Sequence, residues 1–250
     1  MKQTRIIMGM PVTVEILDAH AAEENIEEVF EFFTYIDNKF SVYKKESEIS
    51  LINRNELKEE DYSEDMQKVL ELSEQSKKLT NGFFDIKTPS GKLDPSGLVK
   101  GWAIKLASEI LSAKGFGNYY IEAGGDVQAR REDLSLEPWT VGIKNPFQQD
   151  QIVKILNIRN EGVATSGTYI RGQHIYDPFK PEKQLKEIVS ITVVGPDIYQ
   201  ADRMATAAFA MGDKGILFIE SLPGLEGYQI DRKGIASYTK GFNNYVKTND

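Results

Sequence analysis

The sequence predicts an α+β fold, a single compact unit of mixed and antiparallel sheets with packed helices. Apolar residues alternate with period two in short runs and recur at spacings of three and four in longer ones, so strands and helices are both present. Neither an internal repeat nor a linker-like shift in composition divides the chain. Its 250 residues suffice to bury a sizeable core, and residues 1–250 read as one domain.

Val12, Val14 and Ile16 alternate with Thr13, Glu15 and Leu17 in the pattern of a half-buried strand, and Pro11 suits its start. From Ala22 to Ile36 the period changes. Ile26, Val29, Phe30, Phe33 and Ile36 form the apolar face of a helix, with Glu23, Glu24, Glu27 and Glu31 on the solvated side. A second helix is predicted from Ser63, its N-cap, to Leu79, with Met66, Val69 and Leu70 facing inward and Asn81-Gly82 as its stop. Leu98, Trp102, Leu106 and Ile110, with Val99, Ala103, Ala107 and Leu111 beside them, describe a long buried helix entered from the turn Asp94-Pro95-Ser96-Gly97 and closed at Gly115. Strand-like runs follow at Tyr119 to Glu122, Trp139 to Ile143, Ile152 to Ile158 and Ile188 to Val194. Further helices are predicted to start near Gln200 and Lys214, and Tyr228 to Ile230 with Ile235 to Tyr238 suggest a final hairpin.

Composition narrows the function. The formal charge of −8, without a basic block, disfavours nucleic acid as a partner. The absence of cysteine excludes disulfides, thiolate metal sites and a Cys nucleophile. No apolar run reaches the roughly 18 residues of a membrane span. The start, Met1 to Pro11, has no apolar core or small-residue cleavage site of an export signal, and no lipid-modified cysteine is available. A cytoplasmic location is therefore expected as written, and an exported one if the native N-terminus has been trimmed.

Several residues could carry chemistry. Of the two histidines, His20 in Asp18-Ala19-His20-Ala21 reads as a surface residue. His174 lies in Arg171-Gly172-Gln173-His174-Ile175-Tyr176-Asp177-Pro178, and is either a general base or a loop histidine bonded to Asp177. Asp202 and Thr206 are spaced i, i+4, so on a helix their oxygens share one face. Taken alone they read as an Asp complementing the helix dipole with a Thr packed or bonded to the preceding turn, or as ligands of a hard cation such as magnesium. Gly124-Gly125 reads as a plain turn or as a close backbone approach to phosphate; it is not a Walker loop. Thr165-Ser166-Gly167-Thr168 lacks the G-x-S-x-G pattern of a serine hydrolase. Tyr43, Phe83 and Phe84 could stack on a planar ring or fill the core.

In order along the chain come Met8-Gly9-Met10, Phe40-Ser41-Val42-Tyr43, Ser47-Glu48-Ile49-Ser50-Leu51-Ile52-Asn53 and Gly82-Phe83-Phe84-Asp85-Ile86. Leu93-Asp94-Pro95-Ser96-Gly97-Leu98-Val99-Lys100-Gly101 and Glu122-Ala123-Gly124-Gly125-Asp126 follow, then Ala164-Thr165-Ser166-Gly167, His174-Ile175-Tyr176-Asp177-Pro178 and Ala201-Asp202-Arg203-Met204-Ala205-Thr206. This ordered set resembles the FAD:protein FMN transferases, the ApbE family once described as thiamine-biosynthesis lipoproteins. The likeness runs along nearly the whole chain.

The resemblance implies a T-fold-like unit that transfers FMN from FAD to a Thr or Ser hydroxyl of an acceptor flavoprotein and releases AMP. It implies Mg2+ held by Asp202, Thr206 and the backbone carbonyl near Gly97. It implies an FAD site lined by Met8, Tyr43, Phe83, Phe84, Asp85, Asp94, Lys100 and Tyr176, with His174 as the base that takes the acceptor's hydroxyl proton. Family acceptors carry a pattern like Asp-x-x-Ser/Thr-Gly-Ala-Ser/Thr, which is absent here, so the chain is not expected to be its own substrate. Two departures stand out: Asp94-Pro95-Ser96 replaces the usual Asp-Leu-Gly, and Phe179-Lys180-Pro181-Glu182 lacks the common Thr-Gly pair. Alternatives are a metal-dependent FAD pyrophosphatase releasing FMN and AMP, and a non-catalytic FAD-binding protein. The sequence leaves the oligomeric state open. In an acidic protein, the metal and Lys100 are expected to supply the positive field for anionic FAD.

Overall fold

The computed structural model of the chain describes residues 1–167, 175–182, 185 and 187–248. The N-terminal residues form β1 (Lys2–Ile7), a strand the periodicity did not reveal, because only one edge of it is paired and most of its side chains face solvent. β1 turns through Met8 and Gly9, both at positive φ, into β2 (Met10–Ile16). Pro11 lies inside β2 rather than before it. Its carbonyl accepts from Gly124 N at 3.0 Å, so the missing N–H faces the side where the next strand has already ended and no ladder bond is lost.

α1 (Glu23–Phe40) runs one turn beyond the predicted Ile36, since Phe40 is also buried. A short helix not foreseen, α2 (Glu48–Asn53), is capped by Ser47 Oγ, which accepts from Ser50 N at 3.2 Å. α3 (Glu64–Leu79) starts at the predicted cap Ser63 and ends where Asn81 and Gly82 take positive φ. α4 (Ser96–Ala113) already includes Ser96 and Gly97, so the second half of the expected entry turn is helical and Pro95 is the N-cap.

β3 (Asn118–Ala123) and β4 (Asp126–Arg131) flank the Gly124-Gly125 turn. β5 (Trp139–Asn145) and β6 (Gln148–Ile158) make a separate hairpin, and β7 (Gly162–Gly167) precedes residues 168–174, which lie outside the described set. β8 (Ile188–Gly195) leads into α5 (Ile198–Ala210) and α6 (Gly215–Glu220). β9 (Glu226–Asp231) and β10 (Ala236–Tyr238) form the predicted final hairpin.

Eight strands form one antiparallel sheet in the order β1-β2-β3-β4-β7-β8-β9-β10, with β5-β6 apart from it. α1, α4 and α5 share one large core with the sheet, around Phe30, Phe33, Leu98, Ile104, Tyr119 and Phe209. The β5-β6 hairpin covers a second core that includes Val127, Val141, Leu156 and Phe242. No described helix is long and apolar enough to cross a membrane.

Candidate active site

α5 starts two residues before the predicted Gln200, because Asp197 is its N-cap and accepts from Gln200 N at 2.8 Å. Asp202 is thus the fifth helical residue. The residue is only 3% exposed, so its carboxylate is buried in the protein rather than lying on the surface of the helix's first turns.

α4 crosses α5 at Gly101. A Cβ there would stand 2.7 Å from Asp202 Cβ and 3.0 Å from the Ile198 carbonyl oxygen, closer than real side chains pack. The bare backbone lets Gly101 N–H, whose regular helical acceptor would be the Gly97 carbonyl, donate to Asp202 Oδ2 at 2.8 Å. One turn earlier, the position of a Cβ on Gly97 lies 3.6 Å from Thr206 Oγ1. The predicted trio of Gly97, Asp202 and Thr206 therefore meets at the crossing of two helices, and all three line one cleft.

Lys100 reaches into the same place. Its Nζ pairs with Asp126 Oδ2 and stands 3.4 Å from Asp202 Oδ1. Asp126 is 2% exposed and its Oδ1 also accepts from Thr165 N at 3.1 Å. Lys100 lines the cleft as expected of an FAD-site residue, and its ammonium is shared between two buried carboxylates, so these three groups sum to one negative charge when all are ionised. Burial, with Asp126 adding to it and Lys100 opposing it, raises the Asp202 carboxyl to about 7.

That shift has a sign. A carboxyl raised in the folded state binds more protons there than in the unfolded chain, so its stabilisation is complete below about pH 4 and is lost as pH rises through 7. The metal-free protein should lose stability across this window in denaturant titrations, and Asp202→Asn should flatten that slope. An unchanged slope in the variant would assign the effect elsewhere.

Other predicted residues arrive from three segments. The turn after α3 presents Phe83, Phe84 and Asp85 to the cleft, with Phe84 N donating to Thr80 Oγ1 at 2.9 Å. Asp85 is held by Lys77 at 2.7 Å. Asp94 lines the cleft ahead of α4, where its Oδ1 accepts from Ser96 N at 3.1 Å. Asn53 pins this segment from α2, donating to the Leu93 carbonyl at 2.8 Å and accepting from Leu93 N at 2.7 Å. Tyr176 completes the wall, and burial raises its phenol pKa. Phe179, from the segment that departs from the family pattern, packs edge-on against Phe83 at 5.1 Å.

Two expected residues are not on this wall. Tyr43 is 94% exposed and lines an adjoining groove that shares Thr88 and Asp94 with the cleft. Met8 sits in the β1-β2 turn and packs on the core. His174 lies outside the described residues. His20 is exposed as expected and stacks on Phe116 at 4.7 Å. Sequence reasoning overlooked Asp126 as a site residue. Its signal was an acidic side chain placed immediately after a Gly-Gly turn, at the first position of a strand.

The ApbE family model matches residues 8–90 and 87–229 of this chain. A FAD:protein FMN transferase of Haemophilus influenzae is 24% identical over 319 residues, an alignment that covers 98% of this chain and 92% of that protein. One of Vibrio cholerae is 27% identical over 169 residues, covering 64% of this chain and 49% of the relative. The crystal structure of an ApbE protein from Thermotoga maritima superposes with a TM-score of 0.87 at 21% identity and covers 99% of both chains, which shows a shared fold.

Proposed function

The chain belongs to the ApbE family, and on that footing we infer that it is a flavin transferase, moving FMN from FAD to a Thr or Ser hydroxyl of an acceptor flavoprotein and releasing AMP. The observation that carries this reading is the convergence of Asp202, Thr206 and the first turn of α4 in a cleft that also presents Phe83, Phe84 and Tyr176.

The donor set suits a small hard cation: a carboxylate, a hydroxyl and a backbone carbonyl. Among the described residues no group of three or more His or acidic side chains offers a rival metal site. Asp202, Thr206 and the Gly97 carbonyl would hold Mg2+, which when bound neutralises charge on the pyrophosphate oxygens. The aromatic side chains of the cleft offer faces to the isoalloxazine ring, and Asp85 and Asp94 offer acceptors to hydroxyl donors. Tyr43, on the groove that shares Asp94, would meet the same elongated substrate.

In the reaction, His174 takes the proton of the acceptor hydroxyl, whose oxygen forms a bond to the phosphorus of the FMN half. The bond from that phosphorus to the bridging oxygen breaks, and AMP leaves with the electron pair. The acceptor is a partner whose exposed hydroxyl segment enters the cleft, with a pattern such as Asp-x-x-Ser/Thr-Gly-Ala-Ser/Thr.

Incubation with FAD, Mg2+ and an acceptor carrying that pattern should leave covalent flavin fluorescence on the acceptor in a denaturing gel. Release of FMN at the same rate with and without acceptor, and no labelled band, would overturn transfer. His174→Ala should keep FAD binding, read by fluorescence quenching, while transfer slows by roughly 100-fold or more, the scale of a lost general base. Unimpaired transfer in that variant would remove the histidine from the reaction.

A further inference from the structure

We propose that Asp126 is a positioning residue that draws the Lys100 ammonium toward itself and so keeps the Asp202 carboxylate available to a divalent cation. This rests on the reading of Asp202 as a ligand for that cation.

Lys100 is the cation paired with Asp202 at the crossing of α4 and α5, and alone with Asp202 it would form a neutral pair. Incoming divalent charge would then have to displace a buried ammonium from its partner, a step opposed by the full attraction of the two in a poorly solvated place. Asp126 alters this balance in two ways. It supplies a second buried carboxylate, so the three groups retain one negative charge for the cation to meet. It also takes the tighter contact with Nζ, whereas Asp202 Oδ1 is left at 3.4 Å.

Asp126 is held for this task from outside the cluster. It opens β4 directly after the Gly124-Gly125 turn, and its other oxygen accepts the N–H of Thr165 in β7, so the carboxylate is anchored between two strands and aimed at Lys100. Asp202 is anchored in the same way by Gly101 N–H on Oδ2, leaving Oδ1 facing Lys100. Asp126 thus secures the lysine, while Asp202, which lines the cleft, stands farther from the ammonium.

The test is Mn2+ alone titrated calorimetrically into the full chain at pH 8. Asp126→Asn, which keeps an acceptor for Thr165 N–H, should weaken Mn2+ binding by roughly 10- to 100-fold, the range for residues that orient metal ligands. Adding Lys100→Met to that variant should bring the affinity back to within about threefold of the parent, since the competing ammonium is gone. Lys100→Met alone should tighten binding, which keeps the proposal testable if Asp126→Asn does not fold. Unchanged affinity in Asp126→Asn, or weakened affinity that Lys100→Met fails to restore, would overturn the positioning role. Asp202→Asn separates the premise from the proposal: if it binds Mn2+ as the parent does, the metal reading falls and the role of Asp126 falls with it.

Discussion

Asp202→Asn is expected to lower flavin transfer by roughly 1000-fold or more, since removing a charged metal ligand forfeits several kcal/mol of transition-state stabilisation and each 1.36 kcal/mol is tenfold. The amide retains an oxygen for Gly101 N–H, so the α4-α5 crossing survives and melting curves should stay close to those of the parent. Asp202→Ala is a different variant. It leaves a buried backbone N–H without its side-chain acceptor and should cost about 1–3 kcal/mol of stability in addition to activity. A stopped assay with covalent flavin as the readout decides the first effect, and chemical denaturation the second. Asp202→Asn with more than a tenth of the parent rate would remove Asp202 from the metal site.

Gly101→Ala should destabilise the fold by forcing apart the crossing of α4 and α5. The added methyl would stand 2.7 Å from Asp202 Cβ and 2.9 Å from its Oδ2, with the Ile198 carbonyl oxygen at 3.0 Å. The obstacle on one side is rigid backbone, so relief requires the two helices to separate at the centre of the larger core. Overpacking of this kind costs about 1–3 kcal/mol, and in a chain of this size each kcal/mol lowers the melting temperature by about 2–4 °C. Transfer should fall as well, because the side chain pushed aside is Asp202. A variant with unaltered melting temperature and activity would show that the crossing is not as tight as described.

The elements most legible in the sequence were those with a long one-sided pattern. α1, α3 and α4 bury a continuous stripe, and Ser63 and Asn81-Gly82 mark the ends of α3 by local backbone chemistry. β1 and β7 escaped for physical reasons. β1 is an edge strand whose residues are mostly exposed, so no alternation is imposed on it. β7, Gly-Val-Ala-Thr-Ser-Gly, is almost wholly buried by neighbours on both faces, and small residues there serve α5 above them rather than a period of two.

The site divided along a similar line. Asp202 with Thr206 was legible because i, i+4 on a helix is a local relation, and the ordered motifs placed Phe83, Phe84, Asp94 and Lys100 in one family pattern. Which face Asp202 turned, and with what partners, was not local. Its neighbours Gly101 and Lys100 are about a hundred residues away in sequence, and Asp126 comes from a third segment.

The chain's own residues therefore determined its fold class, its principal helices and its family, through periodicity and motif order that need no knowledge of contacts. Only the tertiary structure decided the electrostatics. A carboxylate at the start of a helix and a carboxylate sealed beneath a second helix look the same in sequence. Burial separates them, because removing water raises the cost of charge and leaves the Asp202 carboxyl governed by its nearest charges, here the Lys100 ammonium and Asp126.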